Sequence, residues 1–143
     1  MDELRFVFAL AGAYLLGALP AGYAITWVAK KVDIRTMGSG HTGGTNVLRV
    51  AGALPAALTV LCDAAKGYGA VALVRALAPG LPWLAALAGV LAVLGHNHSV
   101  FLAFRGGVGT MASFGVALAL MPWGAAAAAL AGVAVIVAWR YAS

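Results

Sequence analysis

Between Phe6 and Val28 no residue carries a charge, and the run is long enough to cross the hydrocarbon core of a bilayer. No other feature narrows the fold as much. Inside lipid every backbone N–H and C=O must find its partner within the protein, so a spanning segment is a helix or part of a closed barrel. The run is preceded by Met1-Asp2-Glu3 rather than by basic residues. It also exceeds the roughly 7–15 apolar residues of a signal-peptide core, so it reads as a retained first helix, Leu4 to Ala29. Four more apolar segments follow: Ala51 to Leu77, Leu81 to Leu94, Met111 to Met121 and Ala125 to Ala138. The last two are short and are joined only around Pro122, which predicts a tight helical hairpin that begins or ends in the membrane interface. The expected fold is all-α: a polytopic transmembrane bundle of about five hydrophobic helices, with residues 1–143 forming a single integral membrane domain.

Composition supports lipid as the solvent. Hydrophobic residues make up 64% of the chain and charged residues 9%, against about 25% charged in a soluble domain. Gly and Ala recur throughout, and small residues let membrane helices approach closely. The net charge is +5, but the basic residues stand singly at the ends of apolar runs. That spacing signals topology and anionic ligands rather than nucleic acid. Cys62 has no second cysteine to pair with, and it reads as a small hydrophobe in an apolar run. His96 and His98 lie two apart with no cysteine or carboxylate nearby, so no metal site is expected, and no cofactor.

Two polar segments interrupt the apolar pattern. The first runs from Lys30 to Arg49 and the second from Gly95 to Thr110. Three expected helices separate the N-terminus from the second, so both fall on one side of the membrane. The loops after helices one, three and five hold Lys30, Lys31, Arg35, Arg49, Arg105 and Arg140, whereas the other side holds Arg5 and Arg75. By the excess of positive charge, the Gly-rich loops are cytoplasmic and the N-terminus is outside, in the cell membrane.

The first loop places Gly38, Gly40, Gly43 and Gly44 among Ser39, Thr42, Thr45 and Asn46. Glycines let backbone N–H groups turn toward one anion, and hydroxyl and amide side chains add donors. Arg49, just before the second hydrophobic helix, offers a planar fork for phosphate oxygens, and the helix N-terminus adds a positive dipole. The second loop repeats the theme in Arg105-Gly106-Gly107-Val108-Gly109-Thr110, with His96 at its start. Phe101 and Phe104 read as packing or interface residues. Asp63 and Lys66 lie three apart inside the second apolar segment and therefore share a helix face. Charges at that depth cost about 3 kcal/mol each on insertion scales, so they face a bundle interior and pair. They either lock helices together or hold the substrate loops.

These residues resemble a known family. Gly38-Ser39-Gly40-His41-Thr42-Gly43-Gly44-Thr45-Asn46-Val47-Leu48-Arg49 is similar to the first signature, G-S-G-N-x-G-A-T-N-x-x-R, of the PlsY-type glycerol-3-phosphate acyltransferases. Asp63-Ala64-Ala65-Lys66-Gly67 resembles their D-x-x-K-G, and Gly95-His96 through Gly109 resembles their second signature, G-H-x-x-x-x-F-x-x-F-K-G-G-K-G-V-A-T. The resemblance spans Asp33 to Gly115 in three ordered blocks. It implies a membrane enzyme of phospholipid synthesis that takes acyl phosphate and glycerol 3-phosphate as partners and transfers the acyl group to the 1-hydroxyl, giving lysophosphatidic acid. It implies no H-x-x-x-x-D pair, and five residues after His41, His96 and His98 stand Asn46, Phe101 and Ala103. Catalysis would rest on positioning two phosphates against cations and donors.

By position, the resemblance assigns catalytic roles to Ser39, Arg49 and His96. It assigns phosphate or substrate binding to Gly38, Gly40, Gly43, Thr45, Asn46, Arg105, Gly106 and Gly107, and intramembrane support to Asp63 and Lys66. The acyl chain would lie between helices, open to the bilayer. The sequence departs from the pattern in places. His41 and Gly44 replace Asn and Ala, Val108 stands in place of a lysine and Ala112 in place of a threonine. The family's two further helices and its third signature, of His, Asn, Arg and Glu type, would lie beyond Ser143. The alternatives are a catalytically impaired member, an incomplete fragment, or a small membrane protein that binds or transports anions.

Overall fold

The structure, a computed structural model, describes residues 2–142, with side chains described from Glu3 to Trp139. The Arg140 side chain, counted above among the positive charges, lies outside the described residues. The order is α1 (Asp2–Ala18), α2 (Ala21–Lys30), α3 (Gly44–Ala51), α4 (Ala53–Leu77), α5 (Pro82–Asn97), α6 (Thr110–Leu120) and α7 (Pro122–Ala142). Short 3-10 turns at Ile34–Thr36 and Val100–Leu102 lie within the two polar loops. Four helical stretches are long and apolar enough to cross a membrane: Glu3–Lys30, Ala53–Leu77, Pro82–Leu102 and Pro122–Trp139.

The bundle corrects the sequence reading in three places. The first apolar run is two helices rather than one, broken at Leu19-Pro20, because proline lacks the donor and clashes with the preceding turn. The first polar loop contains a helix of its own, α3. Its sequence GTNVLRVA is too polar on one face to register as a span, and it is strongly amphipathic. The expected final pair is unequal. The α6 helix has 11 residues and α7 has 21, so α7 has spanning length and α6 covers only about 16 Å at 1.5 Å per residue.

Small residues set the packing. The α1 helix lies against α5 through Ala9 and Ala13 facing Ala88 and Ala92, all buried. Gly17 sits against the Ala92 backbone and Gly95 against the Tyr14 carbonyl, so close that a Cβ would collide with main chain. The α4–α6 seam repeats this, with Gly67 on Ala112 and Gly115 on Ala64. Without a hydrophobic drive between helices in lipid, such close backbone approach is the main attraction available. At the far end Arg75 donates to the Ala119 carbonyl at 2.6 Å, satisfying an orphaned acceptor in the last turn of α6. The α7 helix packs on α6 and otherwise faces outward.

The break in the first run is itself satisfied by side chains. A carbonyl freed by the missing helical turn cannot be left bare in lipid. Ser99 Oγ donates to the Ala18 carbonyl at 2.6 Å, and Lys66 Nζ donates to the Leu19 carbonyl at 2.9 Å. Tyr14 Oη donates to the His98 carbonyl at 2.7 Å, tying α1 to the end of α5.

Candidate functional site

The end of the bundle that carries both polar loops opens into two adjoining clefts. The first, of about 420 Å³, is lined by the first loop and α3 (Ser39, His41, Thr45, Arg49), by Asp63 and His96 from the spans, and by Val108 to Met111. From α4 the cleft is lined by Val60 and Asp63, the latter ten residues into that helix. Its neighbour, of about 540 Å³, is lined by Asn97, His98, Phe104, Arg105, Gly106 and Gly107 on one side and Ser39 to His41 on the other.

Two helix N-termini converge on the first cleft. Gly43, Gly44 and Thr45 open α3, and Gly109, Thr110 and Met111 open α6. The first N–H groups of a helix lack intrahelical acceptors, and the aligned peptide dipoles place partial positive charge there. Arg49 adds a full charge from the last turn of α3. The dipole expected from the second hydrophobic helix therefore comes from α3 instead, and Arg49 lies within α3, not in a loop before a span. The second dipole, at α6, was not anticipated. The signal for it was the abrupt stop of polarity at Thr110, after a Gly109 that takes φ +84°.

Asn46, expected to bind phosphate, is 2% exposed and organises the loop. Its Nδ2 donates to the carbonyls of Met37 at 3.0 Å and His41 at 2.9 Å, and its Oδ1 accepts from the Ser39 N–H at 3.1 Å. Gly38, at φ +57°, sits against that amide, where a Cβ would strike Oδ1. The knot leaves Ser39 and Thr45 exposed at the cleft. Farther out, Asp33 caps the 3-10 turn. It accepts from the Arg35 backbone at 2.9 Å and pairs with its guanidinium at 2.7 Å, and this partner holds the Asp33 carboxyl below the usual range. Arg35 also stacks over Tyr23 at 5.2 Å.

Gly106 and Gly107 have a role the sequence did not suggest. Their N–H groups donate to Asn97 and His96 carbonyls at 3.0 and 3.1 Å, pinning the second loop to the end of α5. Gly106 lies on the His96 and Asn97 backbone and Gly107 on the His96 ring, with no space for a side chain at either. Arg105 projects toward the second cleft, away from Arg49. Ala103 and Phe104 both take left-handed φ, +51° and +63°, a strained turn of the kind that collects at functional sites.

The buried ionisable groups close the inner end. Asp63, Lys66 and His96 are 2%, 7% and 5% exposed. Lys66 Nζ is 2.9 Å from Asp63 Oδ1, and His96 Nδ1 is 3.4 Å from the same oxygen. Neither contact has the alignment of a hydrogen bond, so the cluster is held by charge and by the Leu19 carbonyl. The two readings of Asp63 and Lys66 thus meet: the pair locks α4 to the first span and also sits behind a cleft-lining histidine. Ala112 lines neither cleft and is buried at the α4–α6 seam, whereas Val108 is 66% exposed on the wall between them.

Comparison with known proteins places this arrangement. Residues 7–143 match the family model described as Glycerol-3-phosphate acyltransferase. Glycerol-3-phosphate acyltransferase 1 of Deinococcus radiodurans is 53% identical over 121 residues, covering 83% of this chain and 59% of that protein. The glycerol-3-phosphate acyltransferase of Halalkalibacterium halodurans is 44% identical over 133 residues, covering 92% and 65%. A crystal structure of PlsY, an integral membrane glycerol 3-phosphate acyltransferase in its glycerol 3-phosphate form, superposes with a TM-score of 0.84 at 34% identity. It covers 92% of this chain and 66% of that one. The chain thus spans about three fifths of the length of the curated relatives it matches.

Proposed function

The chain belongs to the glycerol-3-phosphate acyltransferase family, and from that premise we propose that it transfers a fatty acyl group from acyl phosphate to the 1-hydroxyl of glycerol 3-phosphate. The new ester bond forms between the hydroxyl oxygen and the acyl carbon as the acyl–phosphate bond breaks. The hydroxyl proton ends on the released phosphate, and the product is lysophosphatidic acid. An acyl phosphate is a mixed anhydride with a good leaving group, so the protein's task is to bring two phosphates together and neutralise them.

The observation that carries this reading is the convergence of the α3 and α6 N-termini with Arg49 on one cleft, beside a second cleft served by Arg105. Each cleft offers one phosphate a cation, and the first adds the N–H groups of two helix N-termini. Ser39 lines both and is placed to contact the groups that react. The acyl chain would leave between helices into the bilayer. We place the clefts on the cytoplasmic side of the cell membrane, from the excess of Lys and Arg at that end.

The direct test is an acyl-transfer assay in detergent or lipid cubic phase with acyl phosphate and labelled glycerol 3-phosphate. Labelled lysophosphatidic acid is expected, and a folded protein without it under any condition tried would reject the reaction. Arg49→Ala is expected to weaken glycerol 3-phosphate binding by at least tenfold, as loss of a charge-assisted contact costs about 1.5–3 kcal/mol. Unchanged affinity would remove Arg49 from the site. A second reading, anion binding without turnover, is favoured by Val108, which puts an apolar side chain on the wall between the clefts. Val108→Lys separates the two: turnover appearing only with lysine marks the chain as a binding-competent, impaired member.

A further inference from the structure

The two clefts share a wall, and its side chains are Ser39, His41 and Val108. Resting on the reading of the clefts as seats for two phosphates, we propose that His41 is the switchable cation of that wall, reaching anion oxygens from either cleft and making anion binding by this chain depend on pH.

The distribution of charge leads to His41. Arg49, Asp63 and His96 line the first cleft only, and His98 and Arg105 the second only. Among the described residues, His41 is the one ionisable group that lines both. Two tetrahedral dianions side by side repel most strongly where they face each other, so a cation on the shared wall acts on both at once. Val108 supplies none there. The backbone beneath His41 is fixed: its carbonyl accepts from Asn46 Nδ2 at 2.9 Å and Thr42, next to it, is 5% exposed. The imidazole itself is exposed, so it extends from a rigid base into the mouth of both clefts. Histidine changes charge between about pH 5 and 8, where a lysine or arginine on the same wall would not.

Sulfate is a suitable probe, because it is a tetrahedral dianion that does not titrate in this range. Its dissociation constant would be measured from pH 8 to pH 5 for the folded full chain, for His41→Asn, and for His41→Asn combined with Val108→Lys. Acidification is expected to raise the affinity of the unaltered chain roughly tenfold more than that of His41→Asn, the worth of one charge-assisted contact. Any residual slope in His41→Asn belongs to His96 and His98. The double variant is expected to bind tightly with the same shallow slope, its lysine being charged throughout. Equal slopes for the unaltered chain and His41→Asn would overturn the role of His41. Failure of all three folded proteins to bind either sulfate or glycerol 3-phosphate would instead overturn the phosphate reading, and this proposal with it. Should His41→Asn misfold, His41→Gln serves the same comparison.

Discussion

The two polar loops face each other across one site, yet they are held in opposite ways. The first is organised by a side chain: the buried Asn46 amide gathers Ser39, Met37 and His41 around itself. The second is organised by the lack of side chains: Gly106 and Gly107 lie flat on the end of α5, pinned by backbone bonds to Asn97 and His96. A loop built on an amide hub fails when the hub is removed. A loop built on glycine contact fails when an atom is added. Similar Gly-rich composition thus conceals two different sensitivities.

Replacing the hub is expected to have the largest effect. Asn46→Ala strands the Ser39 N–H and two carbonyls, and each buried unsatisfied group costs about 1–3 kcal/mol. A fall in melting temperature of many degrees, with loss of glycerol 3-phosphate binding, is expected in a detergent unfolding assay. A melting temperature within a degree or two of the original would show that the hub is dispensable. Gly107→Ala tests the other loop and should be milder globally, about 1–3 kcal/mol for an overpacked contact. The neighbour that must move is the His96 ring, so ligand affinity is expected to fall at least tenfold while most of the melting temperature survives. The reverse pattern, lost stability with intact binding, would detach His96 from the site.

The smallest effect belongs to the Asp33–Arg35 pair, which is half-buried and lines neither cleft. Because the guanidinium holds the Asp33 carboxyl below its ordinary range, the pair's contribution is present above about pH 3.9, the unfolded value, and is lost as pH falls through the lower folded value. Asp33→Asn is expected to leave neutral-pH binding nearly unchanged and to remove this part of the acid sensitivity of the first loop, followed by hydrogen exchange at Thr36 and Met37. Identical exchange at low pH with and without the carboxylate would dismiss the cap.

Much of this was legible in the residues. Uncharged runs marked the spans, and Asp63 and Lys66 announced a buried pair by spacing alone. The abundance of Gly and Ala foretold close packing. What could not be read is tertiary in origin. The break at Pro20 in the first apolar run could not be foreseen from the run itself, because the partners that cover the broken turn, Ser99 and Lys66, come from 81 and 47 residues away. Asn46 lines the first cleft, but its amide is engaged by the loop's own backbone, which a polar side chain in a Gly-rich loop does not announce. The short α3 was hidden by its length and polar face, and that the α6 N-terminus points into the cleft depends on how the bundle packs. In the sequence His41 is only a departure from the family pattern, and its place on a wall common to two clefts comes from the fold.

The hydrogen bond from Lys66 to Leu19 also bears on how the protein enters the membrane. During synthesis α1 and α2 emerge first, and α4 arrives with a carboxylate and an ammonium that lipid penalises by about 3 kcal/mol each. The acceptor for that ammonium is the Leu19 carbonyl beside Pro20, which also takes the Ala21 N–H at 3.0 Å and lies earlier in the chain than His96. The carbonyl that receives Lys66 thus belongs to a span that precedes α4 in the chain, so donor and acceptor can meet as soon as both helices are in place. A change at Pro20 that restores a continuous helix is expected to withdraw that acceptor and to lower the melting temperature of the bundle.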